Sequence, residues 1–355
     1  MFGGMQYFHS TATWRSFRLF VHFLLTAYIM FGEVPRAMAQ DTPLISGGIG
    51  FFTSTNGGNT SYIPTISPVL AAPLGDSVLV ESRANLLEDF FPGPSGYNTT
   101  HFVGLSYLQL DYIATSHLTI VAGYFLTPFG TYNERLSAIW IGNFQDGPLI
   151  LPIGTGSTGS SSGVMIRGSA VSTTNFSIDY AAYFSGNSTN EQFRSTRATG
   201  GRVSIYLPKQ GLEVGTSYAR SLATVQTNSY GMHLWWEPIG TPFRLRSEYA
   251  HAAHAAGYWI ETDYRLSRLR GEESVVGRIE PIFRWQQVFR NHPDPTDGLP
   301  SVDTKQVEFG LDYRLPHEIR ILTSYGRQIT PVGDRNIWQT GLVYRFLFPA
   351  WKGKS

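Results

Sequence analysis

No cysteine occurs in the chain, which excludes thiol catalysis, disulfide scaffolds and thiolate metal sites. Lysine is almost as scarce, since 23 of the 27 basic residues are arginine. Charged residues of both signs make up only 15% of the sequence, against roughly 25% in ordinary soluble domains. The 27 basic and 26 acidic side chains leave a net charge of +1, which excludes the basic footprint of a nucleic-acid binder. After residue 39 no apolar run approaches the about 20 residues that a membrane-crossing helix requires. That excludes helices and not a membrane, because a closed barrel also satisfies every backbone group in lipid. Glycine (37 residues) and aromatics (14%) are plentiful, a composition suited to an all-β protein with one apolar and one polar face. The 355 residues are enough for one large domain or two ordinary ones.

The N-terminus reads as an address. Arg15 and Arg18 form a positive segment, Leu19 to Phe31 an apolar stretch interrupted by His22, and Ala37-Met38-Ala39 a small-x-small cleavage site. Those 13 apolar residues are too few to cross about 30 Å of hydrocarbon. Residues 1–39 are therefore expected to be a secretory signal peptide. The mature chain then begins near Gln40 with 24 bases and 25 acids, a charge of −1.

From residue 44 the hydrophobic pattern has period two. In the final segment Trp338, Leu342, Tyr344, Phe346 and Phe348 share one face, with Thr340 between them. In QVEFGLDYR, Val307, Phe309, Leu311 and Tyr313 alternate with Glu308, Gly310, Asp312 and Arg314. This template predicts sixteen strands, at 44–53, 60–70, 77–90, 101–114, 117–126, 162–171, 175–184 and 199–207, then 211–220, 227–237, 242–250, 256–267, 274–289, 303–314, 318–328 and 336–348. They average about 11 residues, the length that a tilted strand needs to cross a bilayer. The connections alternate: those after even-numbered strands total 27 residues in seven turns, those after odd-numbered strands 96 in eight loops. A sandwich has no cause to alternate in this way, whereas an outer-membrane barrel has short periplasmic turns and long extracellular loops. The expected fold is thus all-β, a 16-stranded antiparallel transmembrane β-barrel over residues 40–348 with a tail at 349–355. Aromatics fall near the strand ends, as an interfacial girdle requires: Phe51, Tyr112, Tyr180, Tyr218, Trp236, Tyr249, Trp285, Tyr325, Trp338 and Phe348.

If the apolar face meets lipid, the polar face lines the lumen. The same register places Arg83, Arg167, Arg202, Arg244, Arg246, Arg265, Arg278, Arg284, Arg314, Arg320 and Arg345 inside. It also places there Glu81, Asp111, Asp179, Glu213, Glu237, Glu248, Glu261, Asp263, Glu280, Glu308 and Asp312. Eleven charges of each sign imply a water-filled bore in which they keep their hydration, since dry burial is costly. Sixteen strands leave such a channel. Most of these residues are expected in wall salt bridges. The loop 127–161 is far longer than its neighbours, and Leu149, Ile150, Leu151 and Ile153 offer it an apolar anchor. Its only charges are Glu134, Arg135 and Asp146, which would form a constriction if the loop folds inward.

A long third external loop in a sixteen-stranded barrel resembles the general trimeric porins of Gram-negative bacteria. The segment GYFLTPFGTYNERL (123–136), with Pro-Phe-Gly before that loop, resembles the phosphate-selective porin O/P family. The resemblance implies an outer-membrane location, a homotrimer, and passive diffusion of small hydrophilic solutes or ions. In that family phosphate capture depends on a lysine-rich constriction and an arginine ladder; here no lysine lies between residues 40 and 208. Such barrels commonly end on an aromatic residue, whereas seven residues follow Phe348.

Other motifs carry less. Gly159-Ser160-Ser161-Ser162-Gly163 has the form G-x-S-x-G, but no amphipathic helix follows it. His251 with His254, and Asp294 with Asp297, fall in predicted loops without a further ligand. No cofactor motif, metal motif or Walker loop is present. The expected function is a porin without enzymatic activity, acting on solutes and lipid and not on nucleic acid. Two rivals stand beside it: a plugged structural or adhesin barrel, and a rim-sited enzyme using His233 or Ser204.

Overall fold

The computed structural model describes residues 42–350 other than 157, 224 and 292. The expected signal peptide and the last five residues lie outside this range. Sixteen strands follow one another: β1 (Leu44–Asn56), β2 (Asn59–Pro73), β3 (Val78–Gly93), β4 (Gly96–Thr115), β5 (Leu118–Leu126) and β6 (Ser160–Ser172). Next come β7 (Ser177–Ser185), β8 (Ala198–Leu207), β9 (Leu212–Ser221), β10 (Asn228–Trp236) and β11 (Phe243–His251). The last are β12 (Ala255–Tyr264), β13 (Ile279–Arg290), β14 (Thr304–Leu315), β15 (Ile319–Ile329) and β16 (Arg335–Pro349). Each pairs antiparallel with its sequence neighbours, and β1 closes the barrel against β16, with Ile49 opposite Tyr344. Among the described residues no sheet edge is left unpaired, which removes the open backbone groups that lipid could not satisfy.

The period-two pattern sets the two faces. Ile49, Phe51, Ile166, Val203, Tyr218, Tyr249, Trp285, Trp338 and Leu342 point outward and are exposed, as side chains that meet lipid must be in an isolated barrel. Tyr218, Tyr249, Tyr325 and Trp338 form a girdle toward the long-loop end, where the Tyr325 and Trp338 rings lie 4.6 Å apart, while Phe51, expected in it, lies opposite Leu342 nearer the middle of the wall. Tyr112, Tyr180, Trp236 and Phe348 form the other toward the short turns, with Trp236 edge-on to Phe243 at 6.0 Å. Pro64 and Pro68 sit inside β2, where neither can donate to the ladder, and the β2–β3 register has gaps beside both.

Two connections depart most from the sequence expectation. The β3–β4 loop, expected at 91–100, is a hairpin around 94–95; Tyr97 extends the sheet and packs its ring 5.7 Å from Tyr62. The β12–β13 turn, expected to be short, spans 265–278 and includes the helical turn Ser267–Arg270. Its adjacent apolar residues Val275 and Val276 are both exposed, so the segment has no inward–outward alternation and β13 starts at Ile279. The contrast between short turns and long loops is correspondingly weaker, because 57–58 and 252–254 are also tight hairpins.

Candidate functional site: the loop inside the barrel

The chain leaves β5 through Thr127-Pro128-Phe129-Gly130 and turns into the lumen. Gly130 has φ of 66°, and a Cβ there would come within 2.4 Å of the Glu248 carboxylate, so glycine is required twice over. Phe129 is buried against Gly231 and Gly154, whose missing side chains make room for its ring. Glu248 of β11 then fixes the helical turn Tyr132–Arg135. Its Oε1 accepts from the Thr131 backbone N–H (2.5 Å), the Thr131 hydroxyl (2.7 Å) and the Tyr132 N–H (2.7 Å). Tyr132 lies edge-on to the buried Trp259 at 5.9 Å, and burial pushes its hydroxyl up to about 12.

Further along, the loop is tied to strands distributed round the wall. Arg135 forks onto Glu213 of β9 at 2.6 and 3.0 Å, and Arg202 of β8 reaches both the Gly130 carbonyl (2.6 Å) and Glu134 (2.5 Å). Burial works against the Arg135 charge, but the Glu213 fork outweighs it and the guanidinium is held above its ordinary value. Arg83 of β3 donates to Ser137 at 2.9 Å. Asn143 donates to Glu261 (3.0 Å) and Asp263 (3.2 Å) on β12, and Arg320 of β15 donates to the carbonyls of Trp140 and Gly142. Arg284 of β13 donates to the Asp146 carbonyl at 2.8 Å, and Gln339 of β16 to its carboxylate at 2.5 Å. Burial raises the Asp146 carboxyl above its ordinary range, although Gln339 and Arg284 pull the other way. Ile150 and Ile153 complete an apolar anchor with Trp259 and Val288.

This arrangement divides the inward charges. Arg83, Arg246, Arg284, Asp111, Glu248, Glu308 and Asp312 are buried, and Arg284 is 0% exposed. The expectation that wall charges keep their hydration does not hold for this set, because the loop lies on top of most of them. Several of them pair directly, Arg284 with Glu261 (2.8 and 2.6 Å), Arg246 with Glu261 and with Asp263 (3.3 Å), and Asp312 with Arg320 (2.7 Å), while Arg83 meets the Ser137 hydroxyl. Arg284 also lies 4.4 Å from the centroid of the Phe144 ring. Arg244 bridges Asp263 (2.7 Å) and Glu280 (3.1 Å), and Glu280 passes the chain on to Arg314 (2.8 Å) at the short-turn mouth.

Other inward charges keep solvent. The side chains of Arg135 and Arg167 are 36% and 38% exposed, the latter 2.5 Å from Asp111. Glu81 and Asp179 are half-buried, Glu81 beside Gln109 at 3.3 Å. Arg345 stands at the short-turn rim, 3.8 Å from Glu318. Arg278 is not on the wall: it belongs to the 265–278 turn, where its Nε donates to the Glu272 carbonyl at 3.2 Å.

Two groups were not legible in the charge count. The amides Asn143, Gln286 and Gln339 hold the loop, Gln286 accepting from the Leu149 N–H at 2.8 Å. An apolar cluster of Val121, Phe125, Met165, Ala181 and Tyr183 faces inward from β5–β7. His233 is buried 3.4 Å from Glu213, and Ser204 is buried on β8. His251 ends β11 and His254 sits in the hairpin after it. Asp294 accepts from Thr296, and Asp297 pairs with Arg290 at 2.6 Å. Among the described residues no three His, Asp or Glu side chains come together as a metal site.

No family model matches the chain, and no curated protein matches it in sequence. Solved structures do. An anion-selective porin from Comamonas acidovorans is 12% identical, with 86% of this chain aligned to 100% of that one at a TM-score of 0.56. Salmonella typhi OmpF, solved with daunomycin, is 10% identical over 86% and 98% of the two chains, with a TM-score of 0.61. Pseudomonas aeruginosa OccK11 (OpdR) is 8% identical over 89% and 100%, with a TM-score of 0.50. The closed barrel, its lipid-facing belt and this likeness define the class: a transmembrane β-barrel with the fold of the outer-membrane porins. Barrels of this class belong to the outer membrane of Gram-negative bacteria, short turns toward the periplasm and long loops outside.

Proposed function

We propose that the protein is a porin, a passive outer-membrane channel for small hydrophilic solutes or ions, narrowed by the loop 127–159. The observation that carries this reading is the loop's inward course, with solvent-accessible charge of both signs left on the loop and on the wall of β3, β6 and β7. Arg135 on the loop and Arg167 on β6 supply the cationic side, Glu81 and Asp179 the anionic side. Solutes would be sieved by size at the loop and sorted by the field between these groups. The strand of buried ion pairs beneath the loop then acts as support and not as pore lining. Phosphate specificity of the lysine-rich kind has no counterpart here, because the chain carries no lysine from residue 40 to 208. Residues 1–39 act as an export signal, the barrel works as a homotrimer, and no enzymatic step or cofactor is part of the function.

The test is the reversal potential of the reconstituted channel in asymmetric KCl. A near-balanced eyelet predicts weak ion preference, and strong exclusion of either ion would contradict the assignment of these four charges. A second reading is a plugged barrel whose function lies in its external loops. The dryness of Arg246, Arg284, Glu261 and Glu308 favours it, since the loop fills that side of the bore. Folded protein that passes no current would decide for it.

A further inference from the structure

The outer wall carries few charges, and some of them are neutralised locally. Arg327 on β15 pairs with Asp334 at 2.7 Å, and Glu88 on β3 with His101 at 3.1 Å. The wall of β7–β9 differs. Phe184, Thr199 and Arg220 lie opposite one another across β7, β8 and β9, so Arg220 and Phe184 stand about two strand spacings apart on the outer face. Tyr218, one outward position nearer the membrane centre than Arg220, belongs to the long-loop girdle, so Arg220 emerges just beyond that girdle. Arg197 ends the external loop 186–197 and holds its guanidinium 5.9 Å from the Phe184 ring. Both arginines are exposed. Among the described residues neither has a carboxylate partner, Arg220 donating only to the amide oxygen of Gln226 at 2.8 Å.

The loop that bears Arg197 is itself laid on the outer wall. Phe193 lies edge-on to Tyr124 at 5.8 Å, Ser162 donates its N–H to the Ser195 hydroxyl at 3.0 Å and its hydroxyl to the Phe193 carbonyl at 3.1 Å. These contacts keep the loop at the rim. Arg194, in the same loop, is exposed and also without a carboxylate partner, and Glu191 is the one acid the loop carries. Cationic side chains immediately beyond an aromatic girdle sit at headgroup depth, with their stems on apolar surface and their charge in the polar layer.

We propose that Arg197 and Arg220, with Arg194 on the same loop, bind the phosphate groups of outer-leaflet lipid headgroups. The proposal rests on the outer-membrane reading, which puts the long-loop end of the barrel in that leaflet. A planar guanidinium pair matches phosphate oxygens in a bidentate manner, and the apolar ground around Phe184 and Val203 suits the acyl chains beneath. A free phosphate ion has no enclosed cavity to enter here, since Arg220 stands on the outer face of β9 and Arg197 over the outward Phe184 ring.

The experiment measures retention of diphosphoryl lipid A by the purified full-length mature barrel in detergent, read by native mass spectrometry. The comparisons are the same lipid stripped of phosphate, and inorganic phosphate as competitor. Arg197→Ala and Arg220→Ala should each weaken retention roughly fivefold, and their combination more. Arg197→Lys with Arg220→Lys should keep part of it, and Arg327→Ala, an arginine already paired, should change nothing. Heat-modifiable mobility on gels verifies that each variant is folded. Equal retention by the double alanine variant, equal retention of the stripped lipid, or displacement by millimolar inorganic phosphate would each overturn the proposal. Channel currents recorded from the same samples keep the two readings apart, because a silent barrel that still retains lipid A refutes only the porin.

Discussion

Replacing Glu248 by alanine removes the clamp at the point where the loop turns into the barrel. Three hydrogen bonds converge on one carboxylate oxygen, from the Thr131 N–H and hydroxyl and from the Tyr132 N–H. Bonds to a charged acceptor contribute about 1.5–3 kcal/mol each and do not add fully, so the clamp as a whole is worth about 3–5 kcal/mol. The loop keeps its other ties, Arg135 to Glu213, Arg202 to Gly130 and Arg284 to Asp146, and therefore loosens at its start without leaving the lumen. The expected consequence is a wider and noisier eyelet. In liposomes swelling in isotonic saccharides of graded size, Glu248→Ala should admit sugars that the parent excludes, with little change for the smallest. Glu248→Gln, which keeps an acceptor oxygen but loses the charge, should fall between them. Folded Glu248→Ala protein with an unchanged size cut-off would refute the claim that this carboxylate holds the restricting loop.

Three further outcomes follow from the same geometry. Arg284→Ala removes one of the two arginines that pair with the buried Glu261, leaving Arg246, and removes the contact with Phe144. Losing these charge-assisted bonds costs about 1.5–3 kcal/mol, which should lower the unfolding temperature in detergent below that of the parent. Asp146 has its carboxyl raised above the ordinary 3.8 by burial, so its contribution to loop docking is full below that value and is lost as pH rises through the raised one. Current noise should therefore increase from acid toward neutral pH, and Asp146→Asn should flatten that dependence; a profile identical in the two proteins would show that Asp146 is not the titrating group. Arg135→Ala removes an exposed cation and frees Glu213, so the reversal potential in asymmetric KCl should move toward cation preference. A shift toward anions would place Arg135 outside the conducting path.

The fold was legible because a barrel wall writes its two faces directly into the sequence. The alternation of Val307, Phe309, Leu311 and Tyr313 with Glu308, Asp312 and Arg314 required no knowledge of partners, and strand pairing follows chain order. Where alternation lapses the reading slipped: the exposed pair Val275–Val276 passed for the start of a strand, and the Gly/Pro-rich tip at 93–96 passed for a long loop. The interior was legible only in part. The sign and inward direction of Arg246, Arg284 and Glu308 follow from register, but their dryness depends on what the loop does. The loop's course is fixed by contacts far apart in the chain, such as Gln339 with Asp146 and Asn143 with Glu261. Neutral amides and the inward cluster around Phe125 carry no charge to mark them, so a census of charges passes over both.

The most direct test of the central claim compares single-channel currents in planar bilayers for the mature protein and for a variant lacking residues 131–158. The account predicts ohmic steps from the parent and clearly larger ones from the deletion, because the loop occupies the bore. Silence from both, in protein that is folded and heat-modifiable, would contradict a channel altogether, and equal steps would contradict a loop that narrows it.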